Sequence, residues 1–408
     1  MNSPVTASDT GDEPGKGIVI VGGGLGAVRT AEELRREEYD GPITIVGGED
    51  RLPYDRPPLT KEVLRGERDD TTLEPRGFYN RHRIALRLGS AARHVETAAR
   101  MVTLADGAGL GYDRLVIATG LIPRRIPAFG ALPGVRVVRS IDDSLALRRH
   151  ASSARRAVVV GAGFIGCEAA ASLRRLGLEV VLVEPQPTPL ASVLGEQIGT
   201  LVARLHRGNG VDVRTGVGVA DIRARPADGA GGIDTVVLSD GTEVRADLVV
   251  VGIGSQPATE WLTGSGIEVD NGVLCDAAGR TSAADVWAVG DVAFWRGRAG
   301  HQVRVEHWSN VITQVRIMVP ALLGRESLSD VVVPSYFWSD QYDVKIQCLG
   351  VPAATDIVHL VEDDGHKFLA YYERDGVLVG VVGAGRPDKV IGSRAKIAAG
   401  APISEVLG

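Results

Sequence analysis

Glycines at fixed spacing, each set followed by a carboxylate, are the residues here whose types could do chemistry. Gly161, Gly163 and Gly166 stand as G-x-G-x-x-G in GAGFIG, and Glu184 closes the unit they open. In that spacing the first glycine lets the chain reverse, the second lets backbone approach a pyrophosphate, and the third lets a helix pack closely on a strand. The phosphate then meets free N–H groups at a helix start. A carboxylate at Glu184 accepts both adenosine ribose hydroxyls and repels a 2′-phosphate, which points to NADH rather than NADPH. Two like charges about 4 Å apart cost about 4 kcal/mol at an effective dielectric of about 20, so even a screened fraction discriminates. The alternative for Glu184 is a solvated acid at a strand end, and the Arg-rich stretch 173–176 works against the preference.

These residues need elements to hold them. Residues 157–160 are apolar and mostly β-branched, as in a parallel strand buried on both faces. A helix over 164–176 follows, stopped by Gly177, and a second strand over 179–183 runs into Glu184. The chain opens with a second copy of the device. Residues 17–21 (GIVIV) are the strand, and Gly22, Gly24 and Ala27 of GGGLGA fill the fingerprint with alanine in third place. A helix over 27–36 and a strand over 43–46 complete it. Gly47 and Gly48 then precede Glu49 and Asp50, and Glu49 is the choice for the ribose contact. Two such units call for two nucleotides.

Composition narrows the class. A chain of 408 residues is long enough for two or three domains, and a net charge of −6 gives no reason to expect nucleic acid. No long uncharged apolar run is present to span a bilayer. Residues 1–16 are polar, lack the pattern of a signal peptide and read as a disordered lead-in, so a cytoplasmic location is expected. Cys167, Cys275 and Cys348 form no C-x-x-C, which fits a reducing compartment and argues against a zinc site.

Four further stretches carry a resemblance. LPYDRPPLTKEVL at 52–64, LVIATG at 115–120, GAGFIGCE at 161–168 and WAVGDVA at 287–293, together with GGGLGA, resemble the flavin-dependent ferredoxin reductases over nearly the whole chain. The resemblance implies an α/β fold of glutathione reductase type, with two Rossmann-like nucleotide-binding domains and a C-terminal α+β domain. It implies FAD over residues 15–122 and 246–328, an inserted NADH domain over 123–245, and the C-terminal domain over 329–408. Electrons would pass from NADH through FAD to a small iron–sulfur ferredoxin, of 2Fe-2S or similar type. That ferredoxin would feed a cytochrome P-450 or Rieske oxygenase. A monomer or weak dimer is expected.

The same resemblance assigns roles. Pro53, Pro57 and Pro58 stiffen an extended segment able to fix Arg56 and Lys61. By resemblance Lys61 lies beside the flavin, where a cation stabilises the reduced anionic ring. Thr119 and Gly120 let backbone pass close to the cofactor, Arg139 contacts the flavin nucleotide, and Gly290 with Asp291 holds the ribityl chain. Glu168 belongs to the cofactor set. Trp308 approaches the flavin, Glu306 the nicotinamide, and Trp338 caps the ring from the C-terminal domain. Lys61, Glu306 and Trp308 are the catalytic candidates. A buried strand over 247–252 is expected to return the chain to the first domain. DGAGG at 228–232 is read as a hairpin turn, with 235–238 and 243–245 as flanking strands. A second hairpin should turn on Asp375 and Gly376.

YDRPPLTKE holds no cysteine where disulfide-reducing relatives carry one, and Cys167 reads as small buried packing. Electrons must then leave for an outside acceptor. Arg124, Arg125, Arg148, Arg149, Arg155 and Arg156 are candidates to meet an acidic partner, although solvated helix surface is the plainer fate of most. Two other functions stay open. One is a related enzyme reducing a quinone, monodehydroascorbate or oxygen; the other is a redox-signalling protein holding FAD and NADH.

Overall fold

Gly17–Val21 is buried at every position, as a strand covered on both faces must be. It pairs in parallel with Ile43–Val46 on one side and Gly109–Ile117 on the other. The computed structural model describes residues 17–130, 132–225, 232–297, 302–325 and 333–407. Around that central strand the first sheet runs Ile84–Arg87, Ile43–Val46, Gly17–Val21, Gly109–Ile117, then antiparallel Met101–Leu104 and Ala92–Glu96. Val286–Ala288, far along the chain, adds to Gly109–Ile117 in parallel. The helix Leu25–Arg36 covers this sheet and packs against Trp308–Leu322, burying Ala27, Ala31, Leu34, Val315 and Met318 in one core. That second helix begins at Trp308.

The second sheet repeats the plan. Arg156–Val160 is central, with Glu179–Glu184 and Asp212–Thr215 parallel on one side. Leu248–Val251 pairs in parallel on the other side, Leu248 opposite Ala157, and Val135–Arg136 lies beyond it. The strand expected to re-enter the first domain is therefore part of the second sheet. LVVV has the composition of any strand covered on both faces, so its residues do not say which of two similar sheets receives it. Leu121–Pro123 and Ser255–Pro257 form a separate antiparallel pair, and the chain rejoins the first sheet only at Val286–Ala288.

Ile233–Leu238 and Glu243–Arg245 pair with each other about Asp240 and Gly241, and Val219–Ala224 pairs on the far edge. They are not the two arms of one turn at 228–232, most of which lies outside the described residues.

Five antiparallel strands make the C-terminal sheet, in the order Tyr336–Gln341, Val344–Gly350, Val377–Ala384, Phe368–Arg374, Ile357–Asp363. Asp375 and Gly376 both take positive φ, +52° and +80°, as the two-residue hairpin turn requires. The helix Phe164–Arg175 lies against Tyr336–Gln341, and one core runs from Cys167, Leu194 and Ile198 into Phe337, Ile346 and Tyr372. The C-terminal sheet is thereby held against the second nucleotide-binding unit. No described helix is long and apolar enough to cross a membrane.

Candidate functional site

Both glycine turns have the geometry their spacing predicts. Gly22 has φ +141°, and a Cβ on it would sit 2.1 Å from the Ala118 carbonyl oxygen, so glycine is obligatory. At Gly24 an added Cβ would meet no protein atom within 4 Å, and the helix that starts there has no side-chain cap. Its first N–H groups are left open to a ligand. In the second turn a Cβ on Gly166 would lie 1.9 Å from the Gly161 carbonyl oxygen, while Gly163 again faces free space. Glu184 leans back onto this turn. Its carboxylate accepts the Ala162 N–H at 2.6 Å and the Gln186 N–H at 2.9 Å.

Two abutting cavities open from the first turn. One, of about 420 Å³, is walled by Gly22, Gly47, Gly48, Glu49, Arg93 and Trp261. The other, of about 450 Å³, gathers Gly24, Arg56, Lys61, Thr119, Gly120, Arg139, Glu168, Gly290, Asp291, Glu306, Trp308 and Trp338. Gly23, Tyr54, Arg56 and Thr119 border both, so the two form one elongated cleft. Gly161, Gly163, Gly166 and Glu184 are not on its wall. Phe164 and Ile165, at the start of the second helix, are.

Glu49 is positioned by Tyr54, which sequence reasoning passed over, and by Arg56, which it named. Tyr54 donates its hydroxyl to Glu49 Oε2 at 2.6 Å and accepts the Ile141 N–H at 3.0 Å. Burial pushes the Tyr54 hydroxyl up to about 12, so it stays a donor at neutral pH. Arg56 donates to Glu49 Oε1 at 3.0 Å and to the Arg139 carbonyl. One tyrosine thus ties the segment 52–64 to the start of the helix Ile141–Ala151.

Arg139 and Asp291 are the unsatisfied charges of the cleft. No described group exchanges a side-chain hydrogen bond with either. Burial, then the neighbouring Arg56, lowers the Arg139 guanidinium to about 10. Burial raises the Asp291 carboxyl, and Arg139 partly opposes this. Gly120 makes room for the guanidinium, since a Cβ there would lie 2.9 Å from Arg139 Nη2. Gly290 donates its N–H to Gln314 Oε1 at 2.8 Å, a buried contact with no signal in the sequence.

Lys61 is not a lone cation. It is 4% exposed, and its Nζ lies 3.2 Å from Glu168 Oε1. Thr60 donates to Glu168 Oε2 at 2.5 Å and Ser339 to Oε1 at 2.9 Å. Burial raises the Glu168 carboxyl, and Lys61 is the strongest opposing influence. Trp308 donates Nε1–H to Asp55 at 2.8 Å and meets Trp338 edge-on at 6.1 Å, with Tyr336 stacked on Trp338 at 6.0 Å. Glu306 is ion-paired with Arg304, which also donates to the Asp291 carbonyl.

All three cysteines are buried, none lines the cleft, and burial raises the Cys167 thiol far from thiolate character. No group of three or more His, Cys, Asp or Glu among the described residues is placed to hold a metal. Of the candidate docking arginines, Arg148 pairs with Asp69 at 2.7 Å and Arg156 with Glu179 at 2.9 Å. The side chains of Arg124, Arg125, Arg149 and Arg155 make no ion pair among the described residues.

Residues 16–314 match the family model described as pyridine nucleotide-disulphide oxidoreductase, and residues 336–407 match that described as reductase C-terminal. The chain is 37% identical to a ferredoxin–NAD(P)(+) reductase of Sphingomonas sp, over 89% of this chain and 88% of that one. It is 36% identical to rhodocoxin reductase of Rhodococcus erythropolis, over 95% and 90%. The fold is similar to that in a crystal structure of the covalent putidaredoxin reductase–putidaredoxin complex, with TM-score 0.89 and 31% identity over 95% of this chain and 94% of that one.

Proposed function

Since this chain belongs to the pyridine nucleotide-disulphide oxidoreductase family, whose members use FAD and NAD(P)H, we propose that it passes electrons from NADH through FAD to a small iron–sulfur ferredoxin. That ferredoxin would serve a cytochrome P-450 or Rieske oxygenase. The observation that carries the reading is a cleft joining a glycine-turn helix start to a buried Lys61–Glu168 pair with no thiol on its wall.

The residues present fit a flavin dinucleotide. Gly24 leaves a Cβ-sized opening at the helix start where a pyrophosphate would sit, and Arg139 and Asp291 face the cleft with no side-chain hydrogen bond among the described residues. Arg139 would meet the nucleotide phosphates, Asp291 a ribityl hydroxyl, and Glu49, held by Tyr54 and Arg56, the adenosine ribose. Lys61, Trp308 and Trp338 would border the ring. Bound there, FAD supplies the conversion of a hydride into electrons released singly.

Glu184 supports NADH over NADPH, because two backbone N–H groups keep its charge beside the second glycine turn. Phe164, Ile165 and Glu168 continue from that turn to the cleft wall, the direction a nicotinamide would take. Glu306, in the same wall, would stand near it. We read the inserted NADH unit as lying between the paired strands Leu121–Pro123 and Ser255–Pro257.

Stopped-flow reduction of the flavin-loaded protein by NADH and by NADPH, followed by cytochrome c reduction with a panel of small iron–sulfur proteins, tests the proposal. Fast reduction by NADH and turnover that depends on one of those proteins is expected. Equal turnover without any of them would assign a small-molecule acceptor instead. Very slow flavin reduction with a long-lived charge-transfer band would assign a signalling role.

A further inference from the structure

Trp308 is tied to the fold from two sides. Its neighbours in sequence reach the C-terminal sheet: His307 Nδ1 lies 2.7 Å from the Ser335 hydroxyl, and the Ser309 hydroxyl donates to the Tyr336 carbonyl. Trp308 itself bonds elsewhere. Its Nε1–H donates to Asp55 Oδ1 at 2.8 Å, across 253 positions of chain. Both residues stand on the wall of the cavity of about 450 Å³.

Asp55 is in turn fixed by its backbone. It donates its N–H to the Thr71 carbonyl at 2.8 Å, and Leu73 donates to the Pro53 carbonyl at 2.9 Å. Residues 53–55 and 71–73 thus form a short antiparallel ladder about the Tyr54–Thr72 bridge. Among the described residues the Asp55 carboxylate makes no ion pair, and the Trp308 indole is its one side-chain hydrogen-bond partner. Arg56, next in sequence, directs its guanidinium to Glu49, the Tyr54 hydroxyl and the Arg139 carbonyl instead.

Trp338, on the same wall, is held differently. Its indole N–H has no hydrogen-bond partner among the described residues; Tyr336 stacks on the ring, and the Lys345 ammonium stands 5.8 Å from its centroid. A stacked ring is free to slide, whereas a ring bonded at Nε1 cannot turn over without breaking that bond. A bond to an ionised acceptor is also stronger than one to a neutral oxygen.

We propose that Asp55 is a positioning residue for Trp308, holding the indole in one orientation at the aromatic end of the cleft. A loop carboxylate serving solubility alone would lie in water; this one is half-buried on the cleft wall and bonded to the ring. Without that bond the ring is free to swing from the wall and admit water where the flavin would be reduced. The inference rests on the flavin reading for this effect on rate, and not for the hold on the ring.

Asp55→Ala removes the acceptor and leaves the backbone ladder in place, while Asp55→Asn keeps an acceptor oxygen at nearly the same size. In proton–nitrogen correlation spectra of the flavin-loaded protein, the Trp308 indole N–H is assigned by its loss in Trp308→Phe. It should move and exchange faster with solvent in Asp55→Ala, and move less in Asp55→Asn. The limiting rate of flavin reduction by NADH should fall about threefold to tenfold in Asp55→Ala, the worth of one hydrogen bond, with a smaller loss in Asp55→Asn. Apparent affinity for NADH should change by less than the rate. An indole resonance unmoved in folded Asp55→Ala overturns the proposal, as does an unchanged limiting rate once the resonance has moved. Equal rate losses in both variants overturn it too, since charge rather than the bond would then matter. If Asp55→Ala does not fold, the resonance in Asp55→Asn decides by the same rule. A wild-type protein that takes no electrons from NADH sinks the functional reading, while the resonance still judges the hold on the ring.

Discussion

Lys61 Nζ and Glu168 Oε1, 3.2 Å apart and both nearly excluded from solvent, join the proline-stiffened segment after the first glycine turn to the helix of the second. Each comes from a different nucleotide-binding unit. The contact is therefore a structural bolt between the units as well as the charge pair nearest the aromatic end of the cleft. Breaking a buried pair from one side leaves the other charge stranded. Lys61→Ala should lower stability by about 3 kcal/mol, read as a fall in urea midpoint at unchanged slope. A loss within error of zero would mean that water reaches Glu168 and that the pair is not sealed.

Gly24 separates folding from ligand binding. A Cβ there touches no protein atom, and its φ of −120° suits any residue. Gly24→Ala should leave the melting temperature of the apoprotein unchanged and weaken FAD at least about tenfold, since a methyl group would stand where a phosphate approaches the helix start. Titration of apoprotein with FAD, followed by flavin fluorescence, reads the outcome. Unchanged affinity would place the pyrophosphate elsewhere.

Glu184 does two things that substitution can part. Glu184→Ala should raise the KM for NADH, narrow the gap to NADPH and cost about 1 kcal/mol, because two backbone N–H groups lose their acceptor. Glu184→Gln keeps an acceptor oxygen and should recover much of the stability but not the discrimination. Steady-state kinetics with both nucleotides beside thermal melts decides. A preference for NADH that survives in both variants would remove Glu184 from cofactor choice.

His206 predicts how stability responds to acid. Its folded pKa, about 4, lies below the value near 6.5 of an exposed imidazole. The unfolded chain therefore binds the proton first as pH falls. Stability from this residue is complete above about pH 6.5 and is lost down to about pH 4, to the extent of roughly 3 kcal/mol. His206→Asn should be less stable at neutral pH yet flatten the slope across that window in urea titrations. An unchanged slope would assign the acid loss to other groups.

Much of this molecule is written locally. The strands Gly17–Val21 and Ile43–Val46, the helix Phe164–Arg175 and the hairpin on Asp375 and Gly376 follow from apolar runs, glycine spacing and turn residues. Each depends on neighbours a few positions away, which is why a sequence can state it. The grouping of Arg56, Lys61, Arg139, Asp291, Trp308 and Trp338 around one cleft was legible only through motifs whose spacing resembles known reductases.

What the sequence left open concerns partners far along the chain. LVVV at 248–251 fits either parallel sheet, and only the register of Leu248 on Ala157 decided. Lys61 carries no mark of Glu168, Glu49 none of Tyr54, and Ser339 none of Glu168. A local pattern fixes the face on which a side chain stands, whereas its partner depends on which elements pack opposite that face. Burial then makes the match obligatory, because an unpaired charge or amide in a dry core is costly. The sequence determined the units and their glycine turns; the closing of one unit on the other determined which charges meet.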